Sequence, residues 1–306
     1  MRKTGRQKRK REAGNRGKKK RGFEEVSRRK KIVLAVVISG VVVLFGILAL
    51  TFIFSAPEVV EWHPSTKAKI AIVEVEGEIS YGGDASPSQI RKLLVHAEED
   101  NAVKAVVLRI NSGGGDAGAC WELFNEVRKV AARKPVVASI ADVGASGAYL
   151  VASAADEILA TPMSVVGGVG ASFEFPFEVP ANATKPAKEI SSLSSGEFKD
   201  MFADKRLDER ERAYIKKRLE SVLDVFLRCV CEKRNLSEDV RQNLTHGGWF
   251  TGEEGFKMGL VDKIGDLDDA VSEAARIAGI DMNETDVVIL RLEDGNVREI
   301  EYEVLR

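Results

Sequence analysis

A continuous apolar run constrains this chain more than any other feature of its sequence. Residues 32–54, IVLAVVISGVVVLFGILALTFIF, include no charged side chain over 23 positions. A helix of that length measures roughly 35 Å, enough to cross a hydrocarbon core of about 30 Å. The run is too long for the apolar region of a cleavable signal peptide, and Phe54 spoils the small-residue pattern that would end at Ala56. We therefore predict one N-terminal transmembrane helix over residues 32–54.

Charge is divided unevenly on the two sides of this run. Residues 1–31 carry 16 Lys and Arg against three Glu, whereas the rest of the chain is acidic. Positive charge beside an apolar segment holds that end in the cytoplasm. We expect a basic cytoplasmic tail over residues 1–31 that also contacts membrane lipids, and an extracytoplasmic remainder anchored to the cell membrane by a single pass. Nucleic-acid binding by the tail is the alternative, which the neighbouring apolar run disfavours.

After the apolar run, we predict a proline-containing linker over residues 55–68 and one domain over residues 69–306. Its apolar patterns alternate between those of strands and those of helices, and VKAVVLRI is the nearly continuous apolar run of a buried parallel strand. This order predicts an α/β domain with a parallel sheet and crossover helices. The strands are expected over residues 69–77, 103–110, 135–141 and 157–160, and the helices from Ser86-Pro87, from the glycine-rich turn to about Ala132, and over 145–155.

Two further elements follow towards the C-terminus. Residues 207–234 are strongly charged with spaced apolar positions, which predicts one long amphipathic helix. Its apolar positions are Ala213, Leu219, Val222, Leu223, Phe226 and Val230. Residues 285–305 alternate around Asp294-Gly295, the pattern of a terminal hairpin.

Two glycine-rich stretches can present backbone amides to a ligand. NSGGGD, residues 111–116, follows a predicted buried strand and precedes a helix, so its N–H groups could bind a phosphate or a developing oxyanion. It lacks the ending of a P-loop, and it would also serve as a simple strand-to-helix turn. DVGASGAYL, residues 142–150, places Ser146 at a second such turn, where the Gly147 amide could be an oxyanion donor. Taken alone, a serine in this setting is more often a helix cap.

A serine nucleophile needs a base. None of the three histidines, His63, His96 and His246, lies at the spacing of a Clp-protease-like triad. Lysine is the other candidate, provided that its surroundings disfavour the charged form. Most lysines of the chain lie among charged residues, whereas Lys199 in SSGEFKDMF is flanked by Phe198, Met201 and Phe202 and is the best candidate. The three cysteines show neither a disulfide framework nor a zinc spacing, and we expect no metal.

Six segments in order resemble one family. They are IAIVEVEGEI, VKAVVLRINSGGGDA, KPVVASIADVGASGAYLVASAADEILATP, VVGGVGA, SGEFKDMF and FTGEEGFKMGLVDKIGDLDDA. Together they resemble the signal peptide peptidase A family of membrane-anchored Ser/Lys proteases, which has the Clp-protease/crotonase-like fold. The resemblance implies Ser146 as nucleophile, Lys199 as general base and the amides of Gly114, Gly115 and Gly147 as the oxyanion hole, with no cofactor. It also implies signal peptides and other unfolded or hydrophobic segments as substrates, and a homo-oligomeric ring in which a neighbouring subunit can complete the site.

The sequence departs from the family pattern at two positions. Gly113 stands where relatives have proline, which leaves the loop more flexible. Gly168 stands where relatives have the serine that bonds to the lysine amine, so Ser164, Ser172 or a water would have to orient Lys199. A membrane-tethered binding or scaffold protein without catalysis is therefore the main alternative. A protease specialised for one membrane partner is the next.

Overall fold

The computed structural model describes residues 67–173 and 207–304, together with Ser39, Gly40, Leu44 and Phe198. The chain divides into two compact units, Met1–Pro64 and Ser65–Arg306, and every element described below belongs to the second. The predicted tail, and nearly all of the predicted transmembrane run and linker, lie outside the described residues. Within the described part, no helix has both the length and the apolar character needed to span a bilayer.

Strands and helices alternate through most of the second unit. The strands are β1 (Ala68–Glu76), β2 (Val103–Ser112), β3 (Val136–Ala145), β4 (Glu157–Ala160), β5 (Val165–Gly167), β6 (Trp249–Thr251), β7 (Lys263–Ile264), β8 (Thr285–Glu293) and β9 (Asn296–Glu301). The helices are α1 (Pro87–Glu99), α2 (Ala117–Ala131), α3 (Gly147–Ser153), α4 (Glu209–Arg234), α5 (Glu238–Leu244), α6 (Gly252–Met258) and α7 (Leu267–Ala278).

All nine strands join one sheet. The main path runs β6-β5-β3-β2-β1-β8-β9, with β4 beside β3 and β7 beside β4. The central pairs β1–β2, β2–β3, β3–β4, β3–β5 and β1–β8 are parallel, and β5–β6 and β8–β9 at the two edges are antiparallel. The predicted parallel sheet with crossover helices is confirmed.

The sheet is buried on both faces, which explains the nearly continuous apolar strands. In β1, Ala71 and Val73 pack into a cluster that also holds the buried faces of α1, α2 and α3. The alternate positions Ile70 and Ile72 pack against α7 in a second cluster. Successive side chains of a strand point to opposite faces, so one strand supplies both layers. Because helices pack on both faces of the sheet, the positions of the carboxyl ends of β2 and β3 are fixed.

The long helix α4 begins with a capping box in which Asp208 and Glu211 exchange hydrogen bonds. Phe226 and Val230 of its predicted apolar face are buried in the core, but Val222 is 40% exposed. The predicted long helix is present, and its apolar face packs on the core near Phe226 and Val230 but is partly exposed at Val222. Periodicity identifies the apolar face of a helix, but it does not tell whether that face covers a core or lines a cleft.

The predicted terminal hairpin is confirmed. Asp294 and Gly295 both have positive φ, 51° and 80°, and they form the two-residue turn between β8 and β9. The structure adds that β8 runs parallel to β1. The C-terminal hairpin therefore extends the main sheet.

Candidate active site

Ser146 lies directly after β3 and directly before α3, in an unusual backbone conformation. Its φ is 52° and its ψ is −129°. A positive φ costs a non-glycine residue about 1–3 kcal/mol and persists only where the surroundings impose it. Here the Ser146 N–H donates to the Gly167 carbonyl at 2.8 Å, and the Ser146 carbonyl accepts from the Leu150 N–H at 3.1 Å. The turn is held by β5 on one side and by the first turn of α3 on the other.

The hydroxyl of Ser146 makes no capping hydrogen bond, although the residue occupies the N-cap position of α3. Ser237 and Thr251 show the contrast, because each accepts a backbone N–H of its own helix as a cap normally does. The capping interpretation of Ser146 therefore fails on geometry. A half-buried hydroxyl that does not serve its helix is available for chemistry.

The glycine loop after β2 lies against the Ser146 turn. Its backbone pairs with Ile79, which donates to the Gly114 carbonyl at 2.9 Å and accepts from the Asp116 N–H at 2.9 Å. Gly114 has a φ of 96°, and a Cβ there would stand 2.6 Å from the Gly147 nitrogen. Only glycine allows this approach, so the sequence brings two backbones together at the carboxyl ends of β2 and β3.

The three glycines predicted as oxyanion donors differ in what their amides do. The Gly114 N–H donates to the buried Ser112 hydroxyl at 3.1 Å and is already occupied. The N–H groups of Gly115 and Gly147 donate to no acceptor among the residues that the structure describes. Both residues line the same pocket as Ser146. The Gly115 and Gly147 N–H groups, which have no partner among the described residues, thus line the same pocket as Ser146. The Gly114 N–H instead stabilises the loop through its hydrogen bond to Ser112.

Gly147 is also required for packing, because a Cβ at this position would overlap the Sγ of Cys120. Burial, followed by the charge of Asp116, raises the pKa of the Cys120 thiol to about 12. A thiol with such a pKa is protonated at neutral pH and is a poor nucleophile. Cys120 therefore acts as a packing residue under the turn, and Ser146 is the nucleophile candidate of this pocket.

The pocket has a volume of about 530 Å³ and is mostly apolar. Its floor is the nucleophile turn and the start of α2, and one wall comes from the middle of α4. Asp116 is the only formally charged side chain in the described lining. The lining consists of Gly115, Asp116, Ala117, Cys120, Trp121, Ser146, Gly147, Leu150, Gly170, Ala171, Ser172, Phe173, Ser221, Val222, Val225 and Phe226. Sequence reasoning missed the α4 contribution, since the periodicity of these residues is that of an ordinary core helix.

No histidine or lysine belongs to the described lining of this pocket. His96 belongs to an ion-pair cluster with Lys69, and His246 is exposed. Lys199 and His63 lie outside the described residues. The residue before Lys199, Phe198, stacks on Tyr214 of α4 with ring centroids 4.3 Å apart.

The position of Tyr214 relates this stack to the pocket. Seven residues separate Tyr214 from Ser221, so the two lie on the same side of α4, two turns or roughly 10.5 Å apart. Ser221 lines the pocket. Phe198, which precedes Lys199 in the sequence, thus contacts the same helix that forms the pocket wall.

Ser164 and Ser172 are the two residues proposed to replace the serine that is missing at Gly168, and their contacts in the structure differ. Gly168 has a φ of 61°, and a Cβ there would lie 3.3 Å from the Ser146 nitrogen. The Ser164 hydroxyl donates to the Ala141 carbonyl at 2.6 Å and bonds to Thr161, so it is committed to its own turn. Ser172 lines the pocket.

One group of possible metal ligands occurs among the described residues, formed by His96, Asp100 and Glu299 within 4.8 Å of one another. The Lys69 ammonium donates to Glu299 at 2.8 Å and to Asp100 at 3.4 Å. An internal cation therefore already neutralises these carboxylates, and none of the residues of this cluster lines the pocket. We assign no metal to it.

A serine hydroxyl on a strained strand-to-helix turn, unpaired amides beside it and a largely apolar pocket are the parts of a serine hydrolase site. Comparison with known proteins gives the family. The family model "Peptidase family S49" matches residues 128–281, and the chain belongs to this family of serine peptidases. The match includes the Ser146 turn, α4 and the elements that follow it as far as α7.

Relatives and a solved structure agree with this assignment. The chain is 32% identical over 189 residues to a putative protease of Methanocaldococcus jannaschii, covering 61% of this chain and 60% of the relative. It is 34% identical over 221 residues to protease 4 of Haemophilus influenzae, covering 70% of this chain and 36% of the relative. The chain thus spans less than two thirds of either relative.

The fold is similar to that of the 1510-N membrane-bound stomatin-specific protease. The superposition has a TM-score of 0.50 at 13% identity and covers 74% of this chain and 99% of that one. At this identity the likeness concerns the fold alone. The mixed α/β architecture with its parallel sheet fits the predicted Clp-protease-like fold.

Proposed function

We propose that this chain is a membrane-anchored serine endopeptidase that uses Ser146 as nucleophile and Lys199 as general base. The observation that carries the proposal is the Ser146 turn: its hydroxyl caps nothing, and the free amides of Gly115 and Gly147 line the same pocket. Those two amides form the oxyanion hole in this proposal. Gly114 has the supporting role, since its N–H is held by Ser112.

The mechanism follows from these roles. The neutral amine of Lys199 takes the Ser146 proton as Oγ attacks the peptide carbonyl carbon. The Gly115 and Gly147 amides stabilise the negative oxygen of the tetrahedral intermediate. The lysine ammonium then gives its proton to the leaving amine, and an acyl-enzyme remains. Water then attacks the acyl carbonyl as it loses a proton to the same lysine, and the lysine gives this proton to Ser146 Oγ as the acyl group leaves as the acid, which restores both residues.

Two observations support Lys199 in the role of base. The described lining of the pocket supplies neither a histidine nor a lysine, so the base has to come from the remaining part of this chain or from another subunit. Phe198 stacks on Tyr214 of α4, two turns from the pocket residue Ser221. Apolar and aromatic surroundings disfavour the charged form of an amine, as a lysine base requires.

The proposed substrates are remnant signal peptides and other unfolded, hydrophobic segments. The apolar walls of the pocket support this class, and so does the family resemblance of the sequence. We further propose that residues 32–54 anchor the enzyme, that residues 1–31 lie in the cytoplasm beside anionic lipids, and that the catalytic domain works on the outer face of the cell membrane. A homo-oligomeric ring is proposed from the resemblance. Light scattering of the detergent-solubilised chain measures the number of subunits.

The test of the proposed activity uses the full chain in detergent. Hydrolysis of a mixture of apolar and unfolded peptides is measured for the wild type, Ser146→Ala and Lys199→Ala. Both substitutions should lower turnover by at least about 1,000-fold, because nucleophile and base act as a unit. Lys216→Ala, an exposed lysine of α4, is the matched control and should behave like the wild type. Retained turnover in both active-site variants would exclude this mechanism.

The alternative of a membrane-tethered scaffold is motivated by Gly168, which removes one polar partner of the base. It predicts no turnover in the wild type and no reaction of Ser146 with a serine-directed phosphonate. A protease for one membrane partner predicts cleavage of a single protein and none of the peptide mixture. Turnover of the peptide mixture therefore identifies the general peptidase, and in its absence reaction of Ser146 with the phosphonate distinguishes the single-partner protease from the scaffold.

A further inference from the structure

The carboxylate of Asp116 is the one formal charge in the described lining of an otherwise apolar pocket. Asp116 is exposed and lies between Gly115 and the first turn of α2. Leu150, Val225 and Phe226 line the same pocket with apolar side chains. A substrate side chain entering this pocket therefore meets apolar surface along its length and one negative charge.

The Asp116 carboxylate has no hydrogen-bond or ion-pair partner among the residues that the structure describes. Asp116 occupies the N-cap position of α2, but its side chain makes no capping hydrogen bond. It forms no ion pair with any of the described lysines, arginines or histidines. The nearby Tyr81 hydroxyl donates to Glu122, at 3.2 Å. Apart from its favourable position at the N-terminus of α2, the carboxylate of Asp116 thus has no structural partner in the part of the chain that the structure describes.

The charge of Asp116 acts on neighbouring groups. After burial, it is the next cause that raises the pKa of the Cys120 thiol in the pocket floor. It also contributes, after desolvation and the contact with Glu122, to the raised pKa of Tyr81. Both shifts go in the direction expected for negative potential around Asp116.

We propose that Asp116 determines specificity by selecting lysine or arginine at the substrate residue whose carbonyl Ser146 attacks. This inference rests on the proposed peptidase function. The attacked carbonyl is held by amides that line the pocket, so the side chain on the adjoining Cα is the one that enters it. A long aliphatic stem fits the apolar wall, and its terminal cation meets the carboxylate. Exposed Trp121 beside it offers an aromatic face to the same cation.

The experiment compares matched peptides that differ only in the residue before the scissile bond. Lysine and norleucine have the same stem, so the ratio of their kcat/KM values isolates the charge. In the full-length wild type, the lysine peptide should be favoured about five-fold, as expected for an exposed ion pair of up to ~1 kcal/mol. Asp116→Asn should bring the ratio close to one. Asp116→Lys should invert it and favour a glutamate peptide.

Asp142→Asn is the matched control, because Asp142 is exposed and close to Ser146 in sequence but does not line the pocket. It should keep the wild-type ratio. High salt should reduce the ratio in the wild type, since exposed ion pairs are screened. A wild-type ratio near one, or equal changes for both peptides in Asp116→Asn, would overturn the inference and leave the peptidase function standing. Absence of turnover on every peptide would overturn both.

Discussion

The polar groups at the two ends of the parallel sheet differ in whether they have partners. At the amino ends of the strands, Lys69 of β1 pairs with Glu299 and with Asp100, which precedes β2. At the carboxyl ends, the turn after β3 leaves the Ser146 hydroxyl and the Gly147 amide without partners among the described residues. Paired groups stabilise the fold, and unpaired groups remain available for a ligand. Open α/β sheets commonly bind ligands at the carboxyl ends of their strands.

Glycine makes the second arrangement possible. At the carboxyl end, the loop of Gly114 and Gly115 approaches Ile79 and the Ser146 turn more closely than side chains would allow. Close approach fixes the amides without occupying them. The comparison predicts that substitutions at the carboxyl end reduce turnover, whereas substitutions at the amino end reduce stability.

Among the substitutions that compare the two ends of the sheet, the largest effect is expected from Gly115→Ala. A Cβ at this position would overlap the backbone of Ile79, so the loop must move and carry the oxyanion donor with it. We expect kcat/KM to fall by about 100-fold, the scale of a lost oxyanion donor. The control is Gly113→Ala, two positions earlier, where a Cβ meets nothing within 4 Å. Equal activity in Gly115→Ala and Gly113→Ala would show that Gly115 does not supply an oxyanion donor.

A smaller effect, on stability, is expected from Lys69→Met. The side chain of Lys69 is only 7% exposed, and its removal leaves two carboxylates facing each other without a cation. We expect a loss of about 2 kcal/mol in the free energy of unfolding, below the range for fully buried pairs because Glu299 is 31% exposed. Urea titration measures it, with exposed Lys104→Met as control. An unchanged midpoint in Lys69→Met, or reduced turnover of its folded fraction, would contradict the division between the two ends.

Backbone strain at Ser146 is tested by comparing two inactive variants. Ser146→Ala keeps a Cβ at a φ of 52°, whereas Ser146→Gly accepts that conformation without cost. We expect the glycine variant to be more stable than the alanine variant by about 1 kcal/mol, after the greater freedom of glycine in the unfolded chain is included. Thermal unfolding of both proteins gives the difference. A more stable alanine variant would show that the turn is not strained.

The smallest effect concerns acid stability at the amino end. Partial burial alone would raise the pKa of Asp100, but the Ala102 N–H and the Lys69 ammonium hold it below its usual value. A depressed carboxyl pKa stabilises the folded state above the unfolded pKa of about 4, and the contribution disappears as the pH falls through the folded pKa. The stability advantage of the wild type over Asp100→Asn should therefore shrink below about pH 4. Urea titrations between pH 3 and pH 7 measure it, and a constant difference would contradict the pairing.

The sequence predicts the local part of this architecture and leaves out its long-range contacts. Apolar runs and turn residues locate the first strands, the helix at Pro87 and the hairpin at Asp294-Gly295, because these depend on neighbouring residues. The parallel pairing of β8 with β1 joins residues more than 200 positions apart, which no local pattern encodes. Because β9 pairs with β8, this pairing also places Glu299 of β9 beside Lys69 of β1.

The same limit applies to the site. The small residues around Ser146 indicate a turn that permits close approach, and the structure has that turn. The occupation of the Gly114 amide by Ser112 depends on how the loop folds, which the order of glycines in the sequence does not predict. Val222 and Val225 look like core positions of α4 but line the pocket. The assignment of Lys199 remains a prediction, since it lies outside the described residues.

The central claim is that Ser146 is an activated nucleophile, and covalent labelling tests it most directly. The full-length protein is treated in detergent with a peptidyl fluorophosphonate, digested and examined by mass spectrometry. The account predicts one adduct per chain, on the Ser146 hydroxyl, with loss of peptidase activity in proportion to labelling. An adduct on another residue, or continued peptide hydrolysis by a protein fully labelled at Ser146, would contradict it.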